Sequence, residues 1–161
     1  MKKIFFILFT LSFTVGFSQN ITVNDSFTPQ QLVENILVNS GCVSVSNFSV
    51  SGGNFGTSES SYGYFNADGS AFPFQDGIIL STGKLSSVIG PNSNFSDDGS
   101  GSGWAGDADL NTALGLSNTF NATVLEFDFV PNANNISFEY IFSSEQYLLN
   151  PTSNQCNFTD G

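Results

Sequence analysis

The chain has no histidine and no arginine, and it sets three lysines against 14 acidic residues, a formal net charge of −11. Without histidine there is no Ser-His-Asp or Cys-His arrangement. Without arginine there is no planar guanidinium to clamp a phosphate or carboxylate. A surface this acidic repels phosphate backbones and anionic headgroups, which excludes nucleic acid as a partner and gives no basis for membrane insertion of the mature domain. Cysteine occurs only at Cys42 and Cys156, with no CxxC spacing, so zinc and thiol-redox motifs are missing. Charged residues make up only 11% of the chain while Phe is used 18 times, a balance that suits short strands and long polar connections better than a helical bundle.

One long hydrophobic run is present, at the start. MKKIFFILFTLSFTVGFSQ places two lysines before an apolar stretch from Ile4 to Val15, followed by the small-residue site Gly16-Phe17-Ser18. This predicts a signal peptide over residues 1–18, cleaved after Ser18, because the run is shorter than the ~20 apolar residues of a spanning helix. The remaining residues, 19–161, form one domain. Its loss leaves Lys84 as the only cation of an exported chain. In an oxidising setting Cys42 and Cys156 read as a disulfide contributing about 4–5 kcal/mol in the loop-entropy model, against the alternative of two buried thiols.

Thr28-Pro29-Gln30-Gln31 combines an N-cap, proline at the first helical position and a capping-box glutamine, and predicts a helix whose apolar face is Leu32, Val33, Ile36 and Leu37. Ile21–Phe27 before it reads as an edge strand. Val43, Val45, Phe48 and Val50 mark a strand whose alternation breaks near Asn47, the signature of a bulge. Aromatic strand material follows around Tyr62–Phe65, then a turn at Asn66–Gly69, then Ile78–Leu80, which reads as a fully buried strand. Thr123–Tyr147 carries the strongest pattern: Leu125, Phe127 and Phe129 on one face, Ile136, Phe138, Tyr140 and Phe142 on another, and Pro131–Asn135 between them. It predicts an antiparallel hairpin that needs a second layer over its aromatic face.

Residues 86–106 form the longest stretch without apolar periodicity, and so the first place to look for a site. A hard cation needs several oxygen ligands, and the predicted calcium ligands are Asp107 and Asp109, completed by Asp97, Asp98 and Glu145. The plainer readings are an N-cap at Asp109 and a solvated turn at Asp97-Asp98. Trp104 between Gly103 and Ala105 reads either as a sugar-stacking platform or as a plug over the core. Glu126 and Glu139, expected on adjacent strands, form the one carboxylate pair available for glycoside hydrolysis, but they lack the pocket that raises one pKa and read as solubilising charges.

Taken in order, QQLVENILV, DGIILSTG, IGPN, GDADLN, VLEFDFVP, ISFEYIFSSEQY and CNFTDG resemble the choice-of-anchor L domain family over roughly residues 27–161. Where that family shows a double acid before the tyrosine, this chain has Glu145-Gln146-Tyr147. The resemblance implies an all-β, antiparallel β-sandwich of jelly-roll type with one short N-terminal α-helix, truncated at its C-terminal end. It further implies a non-enzymatic module of an exported bacterial protein on the outer cell surface, in a type IX secretion context, with adhesion to surface glycans or other surface proteins as its role. A carbohydrate-binding module and an accessory part of a larger secreted hydrolase are the alternatives.

Overall fold

The computed structural model describes residues 20–38, 43–56, 59–90 and 103–144. Within them the chain is mainly antiparallel strand with a few short helices, and the expected all-β class holds. Strands β1 (Thr22–Asn24), β3 (Tyr62–Asn66) and β4 (Asp76–Leu80) form a three-stranded sheet in the order β1-β3-β4. Strands β2 (Ser44–Ser51) and β5 (Val124–Val130) form a second, two-stranded sheet.

The helix begins where its caps place it. Thr28 Oγ1 accepts from Gln31 N–H at 3.2 Å while Gln31 Oε1 accepts from Thr28 N–H at 2.9 Å, so two amides that the first turn would orphan are satisfied reciprocally. After α1 (Pro29–Gln31) the hydrogen bonding widens to a π-helix over Leu32–Leu37, closed by Val38 N–H to Val33 O. Leu32 and Val33 are fully buried, Ile36 is half-buried and Leu37 is exposed. The helix lies against β2, β3 and β4, so the core sits where both sheets meet it. Phe65, Ala67, Leu85, Ile21 and Ala122 complete that core.

β3, the middle strand of its sheet, alternates half-buried and buried residues. Among the described residues β4 has one neighbour, and the expectation of a fully buried strand is overturned: Ile78 and Ile79 are half-buried and Leu80 is exposed, as befits an edge. Gly77 lies under the Phe65 ring, which in turn meets Phe72 edge-on. The turn after β3 forms as expected, with Asp68 at φ 49 and Gly69 at φ 74.

The bulge also falls where the alternation broke. Ser46 pairs with Asp128 and Ser49 with Glu126, so Asn47 and Phe48 together oppose Phe127. The extra residue keeps Val45, Phe48 and Val50 on one face despite their odd spacing, and Asn47 takes the left-handed conformation, φ 54, that this requires.

The hairpin expected from Thr123 to Tyr147 does not form. β5 pairs with β2, and residues 135–144 pair as a strand with no other described residue, leaving Ile136, Phe138, Tyr140 and Phe142 exposed. Register disfavours the closure expected at Pro131–Asn135. A closure around Pro131–Asn135 would set Val130 opposite Ile136 and hence Asp128 opposite Phe138, placing the aromatic face of one strand on the carboxylate face of the other. Pairing with β2 matches Val45 to Phe129 and Val50 to Leu125, apolar to apolar.

One buried relay joins the two sheets. Ser61 is fully buried, and its Oγ accepts from Gly53 N–H at 2.8 Å and lies 2.6 Å from Thr123 Oγ1. Thr123 Oγ1 donates to Ser81 O at 2.6 Å, so Ser61 supplies the proton of the Ser61–Thr123 bond. The relay ties the ends of β2 and β4 and the starts of β3 and β5 to one point. A Cβ on Gly52 would stand 2.5 Å from Ser61 Oγ, which is why the chain passes here as glycine.

Two stability measurements check this account. Ser61→Ala orphans the buried Gly53 N–H and deprives Thr123 Oγ1 of its donor, and is expected to cost about 1–3 kcal/mol in urea unfolding; no loss would show that the relay does not hold the sheets. At Asn47, Gly is expected to be better tolerated than Val, with Val costing about 1–2 kcal/mol because a β-branched residue resists φ > 0.

Candidate functional site

The residues between Gly103 and Thr123 form an excursion with a closed neck. Ala105 bridges Phe120, Asn121 N–H donates to Trp104 O at 3.0 Å, and Ala122 N–H donates to Ala105 O at 3.3 Å. Below them Asp107 N–H donates to Thr119 Oγ1 at 2.9 Å.

Trp104 sits in this neck with its polar edge committed. Nε1–H donates to Ala122 O at 2.7 Å, and the backbone N–H donates to Asn121 Oδ1 at 3.2 Å. Its ring meets Phe55 edge-on at 5.6 Å and 88°, and a Cβ on Gly53 would come within 2.7 Å of Cζ3. Lys84 Nζ lies 5.8 Å from the centre of the same Phe55 ring. Trp104 is half-buried, and these contacts are those of a plug between the neck and the β2–β3 connection.

Beyond the neck runs α2 (Ala108–Leu114). Its N-cap is Asp107, not the expected Asp109: Asp107 Oδ1 accepts from Asp109 N–H and Leu110 N–H, each at 2.9 Å. The helix ends at Gly115, φ 66, with Leu116 N–H reaching back to Asn111 O at 3.0 Å. Asp109 is exposed in the first turn. Asp97, Asp98 and Glu145, the other predicted calcium ligands, lie outside the described residues, as do Cys42 and Cys156. Among the described residues no group of three or more His, Cys, Asp or Glu is gathered for a metal ion.

A second candidate surface is the polar face of β2 and β5. Asn47 Nδ2 donates to Asp128 Oδ2 at 2.5 Å, and Ser49 Oγ donates to Glu126 Oε2 at 3.3 Å. With Leu125, Phe127 and Phe129 these four line an open cleft. Glu139 does not join Glu126 on an adjacent strand as expected, because residue 139 belongs to the unpaired segment; the carboxylate pair weighed for glycoside hydrolysis is not assembled. Sequence reading missed the Asn47–Asp128 and Ser49–Glu126 ladder. The signal was available: a bulge at Asn47 puts the polar side of β2 in step with Glu126 and Asp128.

These elements describe a β-rich module with a polar strand face, a clasped helical excursion and much exposed aromatic side-chain area. The chain belongs to the choice-of-anchor L domain family, whose model matches residues 20–161. It is therefore a surface-associated module of a secreted protein. No curated protein and no solved structure matches it. Among the described residues no helix is long and apolar enough to cross a membrane.

Trp104 separates plug from platform in one experiment. Trp104→Ala is expected to lose roughly 3 kcal/mol in guanidinium unfolding, the low end for a buried aromatic truncation; a variant as stable as the parent would mean the ring is displayed rather than packed.

Proposed function

We propose that this domain is a non-enzymatic recognition module, exported through a signal peptide and displayed at the outer surface of a bacterium. There it makes adhesive contacts with glycans or proteins of neighbouring surfaces. Family membership over residues 20–161 carries the reading. The chemistry of the chain is consistent with it: with no histidine and no arginine, the described polar groups are hydrogen-bonding side chains suited to holding a ligand rather than to turning one over. The type IX route and a C-terminal sorting region belong to the same proposal.

A carbohydrate-binding role is the second reading, and the cleft between β2 and β5 favours it over Trp104. Asn47 keeps a second amide hydrogen and Glu126 and Asp128 keep carboxylate lone pairs beyond the bonds they accept from Ser49 and Asn47, a set that suits the hydroxyls of a neutral sugar. Trp104 has given its N–H and one ring face to the fold.

A glycan array of the purified protein, with Asp128→Asn and Trp104→Phe beside it, tests both readings. Selective binding lost in Asp128→Asn and kept in Trp104→Phe is the expected sugar-binding result. Absence of binding to any glycan leaves protein adhesion as the surviving reading, and turnover of a bound glycan would overturn the non-enzymatic proposal.

A further inference from the structure

The dipeptide Asp-Gly occurs at Asp68-Gly69, Asp76-Gly77, Asp98-Gly99 and Asp160-Gly161. The last two lie outside the described residues, and the fold treats the first two in opposite ways. Asp76 and Gly77 open β4, paired with Asn66 and Phe65 of β3, and the Phe65 ring covers Gly77. Asp68 and Gly69 are both exposed, at the centre of a turn closed by Ser70 N–H to Ala67 O at 2.8 Å. Their φ values, 49 and 74, are both positive, the pattern of a type I′ turn, in a region that an L-residue such as Asp68 occupies only against steric cost. Nothing stands within 4 Å of the place a Gly69 Cβ would take, and Gly69 N–H donates to no group among the described residues.

We propose that Asp68-Gly69 is a site of spontaneous backbone isomerisation, at which Asp68 converts to isoaspartate as the protein ages. The Gly69 amide nitrogen attacks Asp68 Cγ, the new N–C bond closes a five-membered succinimide, and the carboxyl hydroxyl leaves with the amide proton as water. Water then adds to one of the two ring carbonyls. Opening at the α-carbonyl breaks its bond to the Gly69 nitrogen and leaves the main chain running through Cβ and Cγ, whereas opening at Cγ restores aspartate. The water released in the first step is consumed in the second, so no other reactant is needed. Glycine leaves the attacking nitrogen unshielded, and the open space around Gly69 lets the ring close and water enter without moving a neighbour. At Gly77 the same closure requires β4 to leave its ladder and the Phe65 ring to move. The product gains a main-chain methylene at residue 68, which frees it from the left-handed region, and keeps an exposed carboxylate, now on Cα. Ala67 N–H to Gln75 O at 2.7 Å and the Asn66–Asp76 pair lie outside the turn, so the change stays local.

Prolonged incubation of the purified protein at neutral pH and physiological temperature, followed by electron-transfer fragmentation of its chymotryptic peptides, tests this. Isoaspartate is expected at residue 68 at a level roughly tenfold or more above that at residue 76, because β4 must open before Gly77 can react. In urea the two sites are expected to convert at similar rates. Asp68→Asn closes the same ring by losing ammonia and is expected to convert faster. Asp68→Glu cannot close a five-membered ring and is expected to keep its linkage to Gly69 unchanged. Undetectable conversion at residue 68, or conversion no greater than at residue 76 in the folded protein, overturns the proposal. A ratio between the two sites that urea leaves unchanged overturns it as well, since neighbouring sequence rather than the fold would then select the site.

Discussion

The two described sheets are joined at one hydrogen-bond relay, buried at Ser61 and partly buried at Thr123. Gly53 N–H, Ser61, Thr123 and the Ser81 carbonyl form a chain in which every proton has one destination, and its members come from four separate segments. An unpaired polar group here would cost more than a typical net hydrogen bond gains, so the relay penalises arrangements that leave any one segment out. Apolar burial alone could not do this, because among the described residues each sheet is narrow and the fully buried large apolar side chains are Leu32 and Val33. The helix supplies the core contact, and the relay supplies its geometry.

The local signals in the chain were readable because their physics is local. The Thr28-Pro29-Gln30-Gln31 cap, the Asn66–Gly69 turn and the Asn47 bulge each follow from side chains within a few residues, and each appears where its chemistry places it. Strand partnership was not readable in the same way. β5 pairs with β2 across some eighty residues because Val45 and Val50 match its apolar face, whereas the neighbouring segment arrives one residue out of step. Nor could the sequence show that Ile78–Leu80 would lie at an edge, since a short apolar run is compatible with a central or a lateral position.

At the candidate site the same division holds. Asp107 and Asp109 were recognised as a meaningful pair, but which of them caps α2 depends on where the backbone turns at Gly106 and Thr119. Trp104 was legible as special, being the one tryptophan in a glycine-rich stretch. Its commitment to Ala122 O and to the hollow over Gly53 depends on contacts from distant segments. The Asn47–Asp128 contact likewise needs both the bulge and the β2–β5 register before its two residues become neighbours.

α2 has no buried residue, and it is held by its two caps and by the clasp between Ala105 and Phe120. Past the clasp, α2 therefore adds no buried residue to the core that the sheets share. A change of length or sequence past the clasp is therefore expected to leave strand register undisturbed, as surface excursions outside the core tolerate change.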